Sequence, residues 1–252
     1  MFRVVIPARY DSTRLPGKVL LPLAGKPMLQ WVCERARGSR AEEVWIATDD
    51  ERIAAVARGF GAAVVLTSAA HPSGTDRIAE AAWLLRWAAE DVVVNLQADE
   101  PLMPPALIDQ VNELLVRHPH AAIATLATPI ASLEEFLDPN AVKVVTNRDG
   151  RALYFSRAPV PWDRDGAPAG LASQRSFGAA SRHIGLYAYR VGALRQIAAL
   201  APSPLELRER LEQLRALESG FEIRVASAAE RPGPDVNTLE DLQRVRTRLE
   251  DA

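Results

Sequence analysis

Short apolar runs rich in β-branched residues alternate with longer stretches of helical period through the first half of the chain. The alternation is typical of consecutive βαβ units and predicts a mainly parallel sheet. The continuous valine run 92–94 indicates a strand buried on both faces, so we expect helices on both sides of the sheet. The predicted strands are 3–6, 43–47, 62–66, 92–96 and 122–126, and the predicted helices are 27–37, 51–59, 76–88 and 105–117.

After residue 130 the pattern changes to shorter elements. Strands at 142–145 and 152–155 flank an Asn-Arg-Asp-Gly turn and predict a hairpin. The segment 159–178 is rich in Pro, Gly and Ala, which predicts a long surface loop. A strand at 183–189, a helix at 205–218, a strand at 222–225 and a closing helix at 239–248 complete the prediction. We therefore predict an α/β fold over 1–252, with a doubly wound, Rossmann-like sheet and a smaller inserted β-rich region at 131–225.

Composition and charge exclude several classes of protein. The 30 basic and 32 acidic residues give a net charge of −2, so no global field favours nucleic acid or an anionic membrane, and neither is expected as a partner. The apolar run at the start of the sequence is too short for a signal peptide or a membrane span, so we expect a cytoplasmic protein. The single cysteine, Cys33, excludes an internal disulfide and predicts a small core residue.

A basic loop follows the first predicted strand, at the edge where α/β sheets hold ligands. It contains the cations Arg9, Arg14 and Lys18 and the hydroxyls of Ser12 and Thr13. Such a set can surround a triphosphate and neutralise charge that develops during transfer. The loop matches neither the GxxxxGK[ST] nor the GxGxxG pattern, which disfavours an ATPase or a dinucleotide-binding enzyme. We therefore expect it to bind the tail of a nucleotide.

Two carboxylates, Asp99 and Glu100, come directly after the buried strand 92–96. Mg²⁺ prefers oxygen ligands and commonly combines one or two carboxylates with substrate phosphates, so Asp99 is the predicted metal ligand. An N-cap role for Asp99 is disfavoured because Pro101 and further residues separate it from the next helix. Arg14, Lys18 and Asp99 are the candidate catalytic residues.

Two further patterns have both a functional and a structural interpretation. Ser73 and Gly74 precede a helix whose free N–H groups suit a phosphate, but a simple capped helix start explains them equally well. His183 and Tyr187 lie four residues apart in a predicted strand, which puts both on one face. Without further information His183 is interpreted as a structural histidine.

The motifs resemble those of one family in order and over nearly the whole chain. The opening motif IPARYDSTRLPGK at 6–18 resembles that of the CMP-Kdo synthetases, which activate 3-deoxy-manno-octulosonate (Kdo). The sister family that activates sialic acids opens instead with a Gly-Gly-Ser pattern, which this segment lacks. The likeness continues with ATD at 47–49, HPSGTDR at 71–77, NLQADEP at 95–101, NAVKVV at 140–145, ALYFSR at 152–157, RHIGLY at 182–187, PSPLE at 202–206 and LEQLR at 211–215.

The resemblance implies a fold of the nucleotide-diphospho-sugar transferase type and a Mg²⁺-dependent transfer of CMP from CTP to the anomeric 2-hydroxyl of Kdo. Pyrophosphate is the second product, and the activated Kdo is used in lipopolysaccharide synthesis. The CTP-binding half would be 1–130, the region 131–225 would bind the sugar and support a homodimer, and 226–252 would supply the metal-site segment and closing helix. The resemblance places Ala8, Arg77 and Gln97 near CTP, and Arg157, His183, Tyr187, Glu212 and Gln213 around Kdo.

The chain departs from the family pattern at two positions. Ala98 stands where the family usually has Gly, and Asn237 stands where it has the Asp that serves as second metal ligand. Asp235, two residues earlier in an extended segment, would face the same side as Asn237, so both remain candidate ligands. No general base is predicted. The alternatives are an acceptor such as 8-amino-Kdo or a sialic-type acid, and a protein that binds CTP without turnover.

Overall fold

The computed structural model describes residues 1–11, 15–167 and 169–250, apart from the side chain of Ala172. The strands are β1 (Arg3–Ala8), β2 (Pro22–Leu23), β3 (Lys26–Pro27), β4 (Glu43–Thr48), β5 (Ala63–Leu66), β6 (Val92–Asn95), β7 (Ile123–Pro129), β8 (Lys143–Thr146), β9 (Ala152–Ser156), β10 (Ser181–Arg190) and β11 (Ile223–Ser227).

The α-helices of the described residues are α1 (Met28–Arg37), α2 (Glu51–Gly59), α3 (Gly74–Leu84), α4 (Pro105–Arg117), α5 (Leu133–Leu137), α6 (Val191–Ala198), α7 (Pro204–Glu209), α8 (Gln213–Glu218) and α9 (Leu239–Glu250). Two short 3-10 helices lie at Lys18–Leu20 and Leu171–Ser173. Among the described residues no helix is both long and apolar enough to cross a membrane.

The central sheet has the strand order β11-β7-β10-β6-β1-β4-β5. Strands β6, β1, β4 and β5 run parallel to one another, and β11 runs parallel to β7. Strand β10 is antiparallel to both β6 and β7. The predicted hairpin is confirmed as β8 and β9, which joins the sheet where β8 pairs with β10. The mainly parallel α/β prediction is therefore confirmed, and the carboxyl ends of β1, β4 and β6 share one edge.

Two hydrophobic cores cover the two faces of the sheet. Val92 and Val94 of β6 belong to the core under α1 and α4, whereas Val93 belongs to the core under α3 and α6. The valine run is thus buried on both faces, as predicted. Cys33 lies in the first core as a buried free thiol, which confirms its interpretation as a core residue.

The predictions are wrong at several element boundaries. The single helix predicted at 205–218 is two helices, because Arg210 adopts a left-handed conformation with φ of 55° and ends α7. The helix predicted at 76–88 ends at Leu84, just before Arg86 takes φ of 57°. Helices α5 and α6 were not predicted, and α6 follows β10 without an intervening loop. The segment 159–178 contains only a 3-10 helix among its described residues, in agreement with a loop.

A buried ion pair holds the divided helix region together. The guanidinium of Arg215 donates from Nε and Nη2 to the two carboxylate oxygens of Glu206, at 2.8 and 2.6 Å, and both side chains are less than one-tenth exposed. Glu206 also completes the capping box of α7 with Ser203. Removing the carboxylate takes away the main partner of the buried Arg215 guanidinium, which then keeps only the Leu200 carbonyl at 3.1 Å and Asp76 at 3.9 Å, and this is strongly unfavourable.

We expect Glu206→Ala to lower the free energy of unfolding by about 3–5 kcal/mol, measured by urea denaturation. The matched control is Glu51→Ala, which breaks the exposed Arg58–Glu51 pair and is expected to cost less than about 1 kcal/mol. Equal losses in the two variants would contradict the importance of the buried pair.

Candidate active site

Lys18, the first residue of the 3-10 helix Lys18–Leu20, joins three distant segments of the chain. Lys18 Nζ donates to Asp99 Oδ2 at 2.7 Å and to the carbonyl of Val236 at 2.9 Å, across sequence separations of 81 and 218 residues. The Val236 N–H donates in turn to the main-chain oxygen of Asp99 at 2.9 Å. The basic loop, the end of β6 and the segment before α9 therefore meet at one point.

Carboxylates accumulate around this point. Burial, followed by the charges of Asp99 and Asp235, raises the pKa of Glu100 to about 8, while Arg182 and Lys18 act in the opposite direction. Burial, followed by the charge of Asp99, also raises the pKa of Asp235. The side-chain amide of Asn237 donates to Asp235 Oδ2, so both candidate ligands of the 235–237 segment lie together. The local excess of negative charge favours an additional cation.

The donor set fits Mg²⁺ in kind. Asp99, Asp235 and Asn237 all offer side-chain oxygen atoms. The side chain of Asp99 is partly exposed, with 27% of its surface accessible. Within the described ranges no group of three or more His, Cys, Asp or Glu residues forms a complete metal cage. Mg²⁺ commonly takes only one or two carboxylates together with water and substrate phosphates. The observed donors match that kind of incomplete site.

Arg9 lies at the same edge of the sheet, on the predicted nucleotide side. Arg9 directly follows Ala8, the buried last residue of β1, and donates from Nη1 to the carbonyl of Pro72 at 3.3 Å. Its Nη2 is buried and has no hydrogen-bond partner among the described residues. An unsatisfied buried donor is costly, so this nitrogen is suited to donate a hydrogen bond to an anionic ligand.

The side chain of Arg77 is almost completely buried. Its side chain is 1% exposed, donates to Thr67 Oγ1 at 2.6 Å, and pairs with Asp49 at 2.7 Å. Burial lowers the pKa of Arg77, and Asp49 opposes that effect. These contacts tie α3 to the ends of β4 and β5, so Arg77 supports the wall behind the predicted nucleotide site.

The start of α3 is a capped helix terminus beside β1. Ser73 is the N-cap, and its hydroxyl oxygen accepts from the N–H of Asp76 at 3.1 Å. A Cβ added to Gly74 would lie 3.6 Å from Pro7 Cγ, in ordinary contact. The simple structural interpretation of Ser73 is therefore realised, and the helix N-terminus also lies at the predicted site. Gln97, after β6, donates to Asn95 Oδ1 at 3.1 Å and lies beside Gly185 of β10.

An aromatic cluster occupies the predicted sugar side. The His183 ring lies 5.0 Å from that of Phe155 and 5.1 Å from that of Tyr187, which confirms that His183 and Tyr187 share a face. They do so although the β10–β7 register shifts between Ile184 and Tyr187. Burial, followed by the nearby charge of Arg182, lowers the pKa of His183 to about 3, so the ring is neutral at pH 7.

The hydrogen bond of His183 defines which ring nitrogen carries the proton. The hydroxyl of Thr125 donates its one proton toward the carbonyls of Leu186 and Ile184, whose oxygens lie 2.8 and 3.1 Å from Oγ1. Its oxygen therefore accepts from His183 Nε2, 2.9 Å away. Burial raises the pKa of Tyr187 well above its usual value, with Tyr189 and Glu212 adding to the effect, so its hydroxyl is also neutral.

Arg157 is held by the protein itself. Its side chain donates to the carbonyls of Glu209, Pro139 and Arg210, at 2.6, 2.9 and 3.4 Å. Its main-chain N–H also donates to the Glu209 carboxylate. The predicted carboxylate anchor thus fixes the end of β9 against the left-handed break after α7, and these bonds occupy most of its donor directions.

Glu212 and Gln213 begin α8 and face α3. Glu212 is exposed, yet its Oε2 accepts from the hydroxyl of Thr75 at 2.6 Å, whereas Gln213 is 7% exposed.

Of the other predicted residues, Ser12, Thr13 and Arg14 lie outside the described residues. Sequence reasoning missed three groups: Thr75, Arg182 and the carbonyl of Val236. Thr75 and Arg182 stand inside motifs that were recognised, but a role for a main-chain carbonyl carries no signal in side-chain identity.

Comparisons with known proteins show the family to which this chain belongs. Residues 3–223 match the family model described as cytidylyltransferase. The 3-deoxy-manno-octulosonate cytidylyltransferase of Thioalkalivibrio sulfidiphilus is 58% identical over 248 residues, covering 98% of each chain. The enzyme of the same name from Pseudomonas fluorescens is 55% identical over 250 residues, covering 99% of this chain and 98% of its own. A solved structure of a CMP:2-keto-3-deoxy-manno-octonic acid synthetase complexed with CTP aligns with a TM-score of 0.88 at 39% identity, covering 100% of this chain and 99% of that one.

The low pKa of His183 predicts a pH dependence of stability. The unfolded histidine titrates near 6.5 and the folded one near 3, so the unfolded state binds more protons between these values. The part of the free energy of unfolding that depends on a neutral His183 ring is therefore fully present above pH 6.5, and it is lost as the pH falls toward 3.

We therefore expect His183→Gln to have a shallower loss of stability than the wild type between pH 7.5 and pH 5, measured by urea denaturation. The matched control is His120→Gln at an exposed position, which should leave the slope unchanged. Parallel slopes for His183→Gln and wild type would show that the folded ring is not held neutral.

Proposed function

We propose that this chain, which belongs to the cytidylyltransferase family, transfers CMP from CTP to the 2-hydroxyl of Kdo and releases pyrophosphate. The observation that supports the proposal most directly is the meeting of Lys18, Asp99 and Val236 at the carboxyl edge of the sheet. It places a cation from the basic loop beside carboxylates, at the edge where α/β sheets bind nucleotides. The named relatives support the choice of CTP and Kdo.

The nucleotide side of the site is assigned to the basic loop and the start of α3. Arg9, with its unsatisfied Nη2, and Lys18, together with Arg14, Ser12 and Thr13 of the same loop, would neutralise the triphosphate. Lys18 is held in place by Asp99 and Val236, so it needs no reorganisation when the substrate binds. Ala8, Ser73, Gly74 and Gln97 would border the nucleotide, and Arg77 would support them from behind.

Asp99 would hold Mg²⁺ together with Asp235 or Asn237. When bound, the ion would neutralise phosphate charge and help to orient the nucleotide. The protein's own contribution is the fixed position of Asp99, whose main-chain oxygen is tied to Val236. Asn237 supplies an oxygen without the charge of the usual Asp, and Asp235 supplies the charge beside it.

The sugar side is assigned to the aromatic cluster and to α8. His183 and Tyr187 are both neutral and would offer hydrogen bonds to sugar hydroxyls, with Glu212 and Gln213 close by.

In the chemical step the sugar 2-oxygen forms a bond to the α-phosphorus, and the bond from that phosphorus to the bridging oxygen breaks. Pyrophosphate leaves with the electron pair, and the hydroxyl proton passes to solvent. Alignment and charge neutralisation by the protein favour such a transfer. Arg157 would keep the sugar-side elements in register.

The wider setting is part of the same proposal. Residues 1–130 would form most of the CTP-binding half, 131–225 the sugar-binding half and a homodimer contact, and 226–252 the metal-site segment and closing helix. The product would activate Kdo for lipopolysaccharide synthesis in the cytoplasm. A net charge of −2 gives no overall field that would attract nucleic acid, which favours small-molecule substrates.

The direct test is pyrophosphate release by the purified protein with CTP, Mg²⁺ and Kdo. We expect release only when all three are present, and none with EDTA or with UTP in place of CTP. Release with 8-amino-Kdo or a sialic acid but not with Kdo would overturn the acceptor. CTP binding without release under any acceptor would indicate a binding protein.

Asp99→Asn is expected to lower kcat/KM by at least about a hundredfold, because it removes a charge that holds both Lys18 and the proposed metal. The matched control is Asp149→Asn at an exposed turn position, expected to keep wild-type activity. Circular dichroism establishes that each variant is folded. Near-wild-type turnover in folded Asp99→Asn would remove Asp99 from the mechanism.

Asn237→Asp is expected to lower the Mg²⁺ concentration for half-maximal activity by about three- to tenfold, because it adds a charged ligand. The same variant should show a larger rise of Tm on adding Mg²⁺ than the wild type, since a ligand that binds more tightly stabilises the folded state more. Asn140→Asp, on the surface, is the matched control. An unchanged Mg²⁺ requirement and an unchanged Tm shift would exclude position 237 from the metal site.

A further inference from the structure

The buried hydroxyl of Thr75 and the exposed carboxylate of Glu212 join two regions that the proposed function assigns to different substrates. Thr75 Oγ1 donates to Glu212 Oε2 at 2.6 Å across 137 residues of sequence. Thr75 is 8% exposed and belongs to the first turn of α3, beside the end of β1. Glu212 immediately precedes α8 on the sugar side. The donor is therefore fixed by packing, while the acceptor faces the accessible side.

The Glu212 carboxylate is not used for a structural purpose in its own helix. It occupies the N-cap position of α8 but makes no side-chain capping bond. Within 1–11, 15–167 and 169–250, its second oxygen, Oε1, accepts no hydrogen bond, and the carboxylate forms no ion pair. One oxygen is thus held by Thr75, and the other is available to accept from a ligand hydroxyl.

The same carboxylate lies close to the aromatic cluster. Its negative charge contributes to raising the pKa of both Tyr187 and Tyr189, after burial as the main cause. Tyr187 contacts His183 on one side and Tyr189 on the other. Thr75 therefore fixes a carboxylate at the border of the residues assigned to the acceptor sugar.

We propose that Thr75 is a positioning residue that orients the Glu212 carboxylate toward a hydroxyl of the acceptor sugar. The inference rests on the proposed function, because it assumes that the sugar binds beside Tyr187. A carboxylate that is oriented before the ligand arrives loses less conformational entropy on binding than a freely rotating one. Thr75 does not touch the reacting atoms and acts only through Glu212.

Other contacts keep α8 in place when the threonine hydroxyl is removed. Arg215 of α8 pairs with Glu206 and donates to the carbonyl of Leu200 at 3.1 Å. It also lies 3.9 Å from Asp76, the residue after Thr75. Gln213 and Leu214 are buried. The isosteric change Thr75→Val should therefore free the Glu212 carboxylate without displacing the helix.

The test is steady-state kinetics of pyrophosphate release with each substrate varied in turn. We expect Thr75→Val to raise KM for Kdo about tenfold and to leave KM for CTP within about twofold, since a hydrogen bond to a charged group is lost. Thr75→Ser, which keeps the hydroxyl, should restore KM for Kdo. The matched control is Thr247→Val at an exposed position of α9, expected to behave as wild type.

A double-mutant cycle with Glu212→Ala, which removes the acceptor of the Thr75 hydroxyl, separates orientation from general packing. Thr75→Val should have little further effect on KM for Kdo in the Glu212→Ala background, because the two residues act through one contact. Additive effects, a rise confined to KM for CTP, or an unchanged KM for Kdo would each overturn the inference. An inactive wild type in the same assay would overturn the proposed function itself, and the role of Thr75 with it.

Discussion

The hydrogen bonds of Lys18 are the contacts on which the rest of the site depends. One ammonium group neutralises Asp99 and also binds the carbonyl of Val236, so the basic loop, the end of β6 and the segment before α9 are joined. Without this cation, three carboxylates would face one another in a partly buried position. Burial, followed by the charge of Asp99, raises the pKa of both Glu100 and Asp235, so further negative charge at this edge is unfavourable. The site is therefore built to gain from further positive charge.

The two sides of the edge differ in chemistry. The proposed nucleotide side is cationic and includes the Nη2 of Arg9, which has no hydrogen-bond partner among the described residues. The proposed sugar side is aromatic around His183 and Tyr187, which burial keeps uncharged, with the Glu212 carboxylate at its border. A triphosphate needs charge compensation, whereas a sugar needs aligned donors and acceptors in a site that excludes water. The arrangement suits a reaction that brings these two kinds of substrate together.

Sequence reasoning was most successful where local pattern and topology coincide. The βαβ alternation predicts that the basic loop and Asp99 share an edge, because the carboxyl ends of parallel strands lie side by side. The common face of His183 and Tyr187 follows from strand periodicity and survives the register shift in β10. The left-handed Arg210, which divides the predicted helix 205–218, has no comparable signal, because arginine rarely adopts this conformation.

Partners that depend on tertiary contacts were beyond a single sequence. The carbonyl acceptors of Arg157 lie in two segments, at Pro139 and at the end of α7, and only the fold shows that they occupy this guanidinium. The same holds for Arg77, whose pairing with Asp49 and hydrogen bond to Thr67 are visible only in the fold. Thr75 stood inside a recognised motif, but its partner Glu212 is 137 residues away.

The central claim is that this edge of the sheet aligns the sugar 2-oxygen directly with the α-phosphorus. The most direct measurement uses Kdo labelled with ¹⁸O at C2 by exchange with labelled water, followed by ³¹P NMR of the products formed with CTP and Mg²⁺. The account predicts a phosphodiester whose phosphorus resonance carries the isotope shift of an ¹⁸O bridge, together with unlabelled pyrophosphate. A phosphodiester without the label, or CMP and pyrophosphate without any phosphodiester, would contradict it.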